Sequence, residues 1–526
     1  MRTSLNRRIL ALIIGALTLA LCLAGCSGSG SDSGSGSPPE TVSIGSLEVQ
    51  PDITELTVSP GEVTGEALIA ALSELPELRS VKLPNTTMSA RDIASLQLRG
   101  LDVDYTVDIN GQSCGPDTVE LDLSGMDMGQ IEKAADSFIL FPELASIKLM
   151  GDDGNMLLNA NELSSLRERY PNLSLAYSVL LNGRTYGPDA TQVDLSGLTP
   201  GELDEAISKL TALPEVSEIE LMDAQGKSAL SMTDVKTLMD ALPDIDIHYT
   251  FEFFDQTLST SDTRVEYESV YMGNEAEPQI RQVLDILPNC TYFVLDSCGI
   301  DDEVMASIRD DYPDVKVVWR VFIDIFNMRT DEEIIRVTFK LTDENCAPLQ
   351  YCTDAVYIDL GHNSTLHDIS YFRNMPKLEC VIVSGAPVVD MTAFENCDNL
   401  IWLELCFCGW VTDISALENH PTLKYLNISF TSVEDISALE NVNLERLNAM
   451  GTKISEADQQ HFIETHPDCI SIFEGKQPYG YGWRYDDEGY TFFEYYARMR
   501  EVFRYAEPGY YGNHRGVAPG YLDLID

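Results

Sequence analysis

The chain has 526 residues, of which 85 are acidic and 34 basic, giving a formal net charge of −51 and an isoelectric point near 4.2. Charge of that sign excludes nucleic acid and anionic lipid headgroups as favourable partners, since both are polyanions. Hydrophobic residues make up 44% of the chain, ample for a continuous core, and the acids are interspersed rather than blocked, as on solvated faces.

In chain order, Arg2, Arg7 and Arg8 open a basic segment, followed by an apolar run from Ile9 to Leu23. This run is short for a membrane span of about 20 residues and has the layout of an export signal. It ends in Leu23-Ala24-Gly25-Cys26, which resembles the lipobox of bacterial lipoproteins. The resemblance implies cleavage after residue 25, lipidation of Cys26, and anchoring to the outer face of the cell membrane. Residues 26–40 are mostly Ser and Gly, closed by Pro38-Pro39, a composition that stays a flexible tether.

From residue 41 a phrase recurs: Leu75-Pro76-Glu77-Leu78, Phe141-Pro142-Glu143-Leu144, Leu213-Pro214-Glu215-Val216, Leu287-Pro288-Asn289-Cys290, Met375-Pro376-Lys377-Leu378 and His420-Pro421-Thr422-Leu423. Each copy leads into an alternating run such as Ser80-Val81-Lys82-Leu83, the pattern of a stacked repeat array. Over 41–330 the beat is long. Gly115-Pro116-Asp117 and Gly187-Pro188-Asp189 head equivalent units of about 72 residues, close to three coils of about 24. Within one unit the strand signals are Val119–Leu123, Ala145–Leu149 and Ser174–Leu181, separated by helical spacing over Met128–Phe141 and Asn161–Tyr170. The third strand runs on into Asn182-Gly183, a hairpin turn signal that Asn110-Gly111 repeats one unit earlier.

After a connector at 331–354, residues 355–474 carry a shorter beat of about 22 residues. Leu400-Ile401-Trp402-Leu403-Glu404-Leu405 and Leu423-Lys424-Tyr425-Leu426-Asn427-Ile428 match the LxxLxL strand of leucine-rich repeats. Thr412-Asp413-Ile414-Ser415-Ala416-Leu417 and Glu434-Asp435-Ile436-Ser437-Ala438-Leu439 resemble the return segment of internalin-type repeats. The usual asparagine after the strand is Asn363, Ala386, Cys408 and Thr431 here, so only the first is equipped for the full asparagine ladder. The chain therefore resembles a leucine-rich-repeat surface lipoprotein of Gram-positive bacteria. The implied fold is an α/β, right-handed, leucine-rich-repeat-like solenoid in which irregular compound βα repeats precede plain leucine-rich repeats.

In that family the residues flanking the strand leucines face outward from the concave surface. Carried onto this chain, one row is Tyr357, Cys380, Trp402, Tyr425 and Arg446, and the next Asp359, Ile382, Glu404, Asn427 and Asn448. Aromatics and arginine are the types enriched in binding hot spots, so Tyr357, Trp402, Glu404, Tyr425, Asn427 and Arg446 are the candidate ligand surface. The competing reading is that this row is covered by the tail. Residues 475–526 hold ten of the 23 tyrosines, Trp483 and five arginines, and form either an aromatic cap or a binding arm. Phe492, Tyr495, Tyr496, Met499, Val502 and Phe503 have the spacing of an amphipathic helix.

Of twelve cysteines, ten follow the tether. Cys290 and Cys298 lie at two ends of one strand signal, too far apart to bridge, whereas Cys346 and Cys352 flank a loop and are placed to pair. Most of the rest read as buried thiols, and no zinc-type spacing occurs. No phosphate loop, GxSxG elbow or HExxH is present, and Asp152-Asp153-Gly154-Asn155 and Asp486-Asp487-Glu488-Gly489 read as surface turns rather than calcium loops. The expectation is a non-enzymatic protein without cofactor that binds an extracellular protein or glycan. The alternatives are an exported enzyme or enzyme subunit acting on cell-wall or dietary polymer, and a transporter-linked solute-binding lipoprotein. The last is disfavoured because a continuous array offers no cleft between lobes.

Overall fold

The computed structural model describes residues 41–151, 156–480, 482–486, 491–506, 520 and 522–523. The signal segment, Cys26, the tether and both acidic turns at 152–155 and 487–489 lie outside them. The chain divides into two compact units, residues 1–250 and 251–526. Among the described residues no helix is long and apolar enough to cross a membrane.

In the first unit, three parallel sheets of three strands repeat the compound pattern: Glu55–Thr57 with Ser80–Leu83 and Asp102–Tyr105, Glu120–Asp122 with Ser146–Lys148 and Ser174–Ala176, and Gln192–Asp194 with Glu218–Glu220 and Asp246–His248. Inward residues align across each sheet, as in Leu121, Ile147 and Leu175, because parallel register keeps one side-chain phase on one face. The expected third strand Ser174–Leu181 is broken. Ser174–Ala176 pairs in the sheet, and Val179–Leu181 leaves it to pair antiparallel with Arg184–Tyr186. Asn182 and Gly183 make the turn at φ 49° and 72°, and Asn110 and Gly111 repeat it at 53° and 77°. These positive φ values are what a two-residue hairpin requires and what Asn-Gly tolerates.

The helices start where short polar side chains cap them. Asp127 with Gln130, Asn159 with Glu162, and Ser231 with Asp234 form reciprocal capping boxes. The expected helix over Met128–Phe141 is an α-helix at Met128–Ala135 followed by a 3₁₀ turn at Phe138–Leu140. The recurring proline phrase is the turn that delivers the chain to the next strand. Leu78, Leu144 and Leu378 N–H groups donate back to Leu75, Phe141 and Met375 carbonyls, with proline presetting φ inside each turn. In the last copy the imidazole replaces that carbonyl, and His420 Nδ1 accepts from Leu423 N–H at 3.2 Å.

The second unit begins with one more compound copy, Arg264–Glu268, Tyr292–Asp296 and Lys316–Ile323, whose third strand runs unbroken into a hairpin with Phe326–Arg329. A seven-stranded parallel sheet follows, from Ile334–Arg336 to Ile470–Ile472. Its first strand comes from 331–354, so that segment is a coil of the array rather than a plain connector. Tyr357 faces Cys380, Cys380 faces Trp402, Trp402 faces Tyr425, and Tyr425 faces Arg446. Each step spans one coil of the length of a leucine-rich repeat, roughly 20–29 residues. Ile358, Val381, Leu403, Leu426 and Leu447 form the fully buried spine.

Opposite the strands the chain returns through 3₁₀ turns at Ser370–Asn374, Thr392–Asn396, Ser415–Leu417 and Ser437–Leu439. The Asp-Ile-Ser motif, Asp-Met-Thr at 390–392, explains them. Asp368, Asp390, Asp413 and Asp435 each accept the N–H two residues on, at 2.8 Å. Asn363 makes the full ladder contact, accepting from Leu341 N–H and donating to Val337 and Leu360 carbonyls. Cys408 donates to the Val383 carbonyl and Thr431 to the Ile428 carbonyl. The ten cysteines of the described residues are free thiols, so Cys346 and Cys352 do not pair.

Candidate functional site

The register confirms the two rows read from the sequence, with Tyr357, Cys380, Trp402, Tyr425 and Arg446 side by side and Asp359, Ile382, Glu404, Asn427 and Asn448 beside them. Their expected exposure is corrected. Tyr357, Trp402, Glu404, Tyr425 and Asn427 are buried and Arg446 is half-buried, because the tail folds across this face of the sheet.

The tail segment places Trp483 and the helix Glu494–Val502 against the aromatic row. Trp402 lies 4.5 Å from Trp483, centroid to centroid, and stacks with Tyr495 and Tyr496 at 5.8 and 5.9 Å. Tyr425 packs on Tyr495 and Phe493, and Tyr357 meets Phe503 edge-on. Burying an aromatic of 150–250 Å² removes a large apolar surface from water, which drives this docking.

Polar groups set its register. Glu404 accepts from Arg484 Nη2 at 2.6 Å and Trp483 Nε1 at 3.1 Å. Asp359 accepts from the Tyr505 hydroxyl at 2.5 Å, and burial holds its carboxyl above the usual range. Asn427 and Asn448 both donate to the Pro478 carbonyl, and Arg446 donates to the Gly482 and Tyr485 carbonyls. Each of the six candidate residues is thus brought together with the others and used by a segment of the same chain.

Two features were missed from the sequence. The first is a cavity of about 540 Å³ between sheet and tail, lined from the sheet by Arg336, Asp359 and Glu404 and from the tail by Arg484, Arg500 and Tyr505. The signal was the pairing of acids in the outward row with arginines concentrated in the tail. The second is a column at the strand ends in left-handed conformation: His362, Gly385, Phe407, Phe430 and Gly451, with φ between 58° and 78°. Phe407 and Phe430 hold φ of 63° and 58°, costing about 1–3 kcal/mol each for a bulky residue. Their rings stack at 4.8 Å and 12°, Phe407 is 50% exposed, and Tyr479 of the tail lies beside it. Trp410, in the next turn, is 67% exposed. The signal here was Phe standing where neighbouring coils carry Gly.

The thiols are poor nucleophiles. Burial pushes Cys397 and Cys408 up to about 12 and Cys346 to about 11. Among the described residues no group of three His, Cys, Asp or Glu is placed to hold a metal ion.

No family model matches the sequence, and no curated protein matches it significantly. Among solved structures, an internalin of Listeria monocytogenes aligns with 61% of this chain and 92% of its own, at 13% identity and a TM-score of 0.22. A leucine-rich-repeat protein of Leptospira interrogans covers 80% and 90%, at 13% identity and 0.21. The functional domain of InlJ from Listeria monocytogenes, which includes a cysteine ladder, covers 81% and 69%, at 12% and 0.20. Whole chains do not superpose at such scores, and the leucine-rich-repeat-like fold stands on the coil geometry of residues 334–472.

Proposed function

We propose that this chain is a non-catalytic binding protein, exported and held outside a bacterial membrane by lipid on Cys26, that engages an extracellular protein through the rim of the second unit. The observation that carries the binding surface is the strained, half-exposed Phe407 stacked on Phe430. Neighbouring coils accommodate the same left-handed position with Gly385 and Gly451 at no steric cost, so two phenylalanines there stand at a cost to stability. With Trp410 and Tyr479 they supply large rigid rings of the kind that anchor protein interfaces. The aromatic row of the sheet, expected to bear the ligand, is instead committed to the tail.

Binding of the purified protein to arrays of extracellular proteins and of glycans tests the surface, using Phe407→Asn and Trp410→Ser. A protein partner lost by at least tenfold in both variants, with neither melting below the parent, supports it; undiminished binding, or binding confined to glycans, overturns it. Mass spectrometry of the N-terminal peptide from membranes tests the anchor. Cys26 without lipid, or a Cys26→Ser variant still membrane-bound, refutes it.

A further inference from the structure

The cavity between sheet and tail differs from its surroundings in charge. In a chain of net charge −51, three arginines and two carboxylates converge there. Arg484 pairs with Glu404 at 2.6 Å, and Arg336 lies 4.0 Å from Asp359. Arg500 has no carboxylate within ion-pair range among the described residues, and its guanidinium rests over Phe492 at 4.4 Å. Among the described residues, the lining thus sets three guanidinium groups against two carboxylates. Its volume of about 540 Å³ falls in the range of small-molecule sites, roughly 300–1,000 Å³. Tyr479, Tyr496 and Tyr505 add aromatic walls with phenol groups, and Ile382 and Phe339 an apolar floor.

We propose that this cavity binds a small organic monocarboxylate, its carboxylate at Arg500 and its body between the tyrosines and Ile382. A monocarboxylate brings one negative charge to Arg500, whereas a phosphate dianion brings a second into a cavity that already holds Asp359 and Glu404. Guanidinium groups match carboxylate oxygens two at a time, which fixes orientation as well as charge. The cleft disfavoured for a repeat array is thus made by the tail rather than by two lobes. This site meets the rim at Tyr479 but shares none of the residues replaced in either test, so neither reading depends on the other.

The test is thermal-shift screening of the purified protein with monocarboxylates (amino acids, uronic acids, hydroxy acids and aromatic acids), their neutral amides, and phosphate esters, with calorimetry on any hit. The expected result is a monocarboxylate that raises the melting temperature while its amide does not. Arg500→Gln weakens it at least tenfold, Arg500→Lys recovers part of the loss, and both melt as the parent without ligand. Thr338→Leu, which narrows the cavity from the sheet side, weakens the same ligand independently of the tail. No shift with any monocarboxylate, equal shifts with acid and amide, preference for phosphate esters, or full affinity in Arg500→Gln each overturns the assignment.

Discussion

Replacing Glu404 by leucine tests whether the tail is keyed to the sheet by charge as well as by aromatic packing. Glu404 is fully buried and accepts from Arg484, Trp483 and Ser384, while the Arg484 side chain is 22% exposed. Removing the carboxylate strands a mostly buried guanidinium and an indole N–H, and breaking a buried pair in this way costs about 3–5 kcal/mol. At about 2–4 °C per kcal/mol for a unit of this size, the melting temperature falls by roughly 10 °C. Replacing both partners, Glu404→Leu with Arg484→Leu, removes the uncompensated charge and recovers most of that loss. Trp402 and Trp483, two of the four tryptophans, lie at the contact, so their emission shifts to the red when the tail lifts. The assay is thermal unfolding of parent, single and double variants followed by that emission. A single variant within 2 °C of the parent (less than about 1 kcal/mol), or a double variant no more stable than the single, refutes the keyed docking.

Other consequences are separately measurable. His420 accepts at Nδ1 and holds Cys397 O at Nε2, and burial keeps its pKa below the ordinary 6.5. A base with a depressed folded pKa contributes stability that is complete above 6.5 and is lost as pH falls through the folded value. The parent therefore loses melting temperature from pH 7 to 5 more steeply than His420→Gln, and parallel curves refute the assignment. Asn363→Ala removes three buried ladder bonds and lowers stability by about 2–3 kcal/mol in denaturant titration. Gly451→Ala places a methyl 2.7 Å from the Phe430 ring at φ 67°, costing about 1–2 kcal/mol and displacing the Phe407 stack, which aromatic NMR shifts report.

The coil spacing, the outward rows and the hairpin turns were legible because each depends on short-range chemistry. Proline presets a turn, Asp-Ile-Ser starts a 3₁₀ return, Asn-Gly takes positive φ, and alternation assigns each strand residue to a face. The break between Ala176 and Val179 was not legible. Its alternation continues through both strands, and only the choice of pairing partner separates them.

Local pattern also identified Trp402, Tyr425 and Glu404 as outward-facing without telling what they face. A periodic signal specifies a direction from the backbone, not the presence of another segment in that direction. The spacing of the tail residues gave a helix, found at Glu494–Val502, yet docking of the tail depends on contacts 80 residues apart, such as Arg484 with Glu404. By itself the sequence determined the repeat, the faces of its strands and the aromatic character of the tail. Only the tertiary structure decided that those aromatics meet, since their burial against one another lowers the free energy only once both surfaces exist.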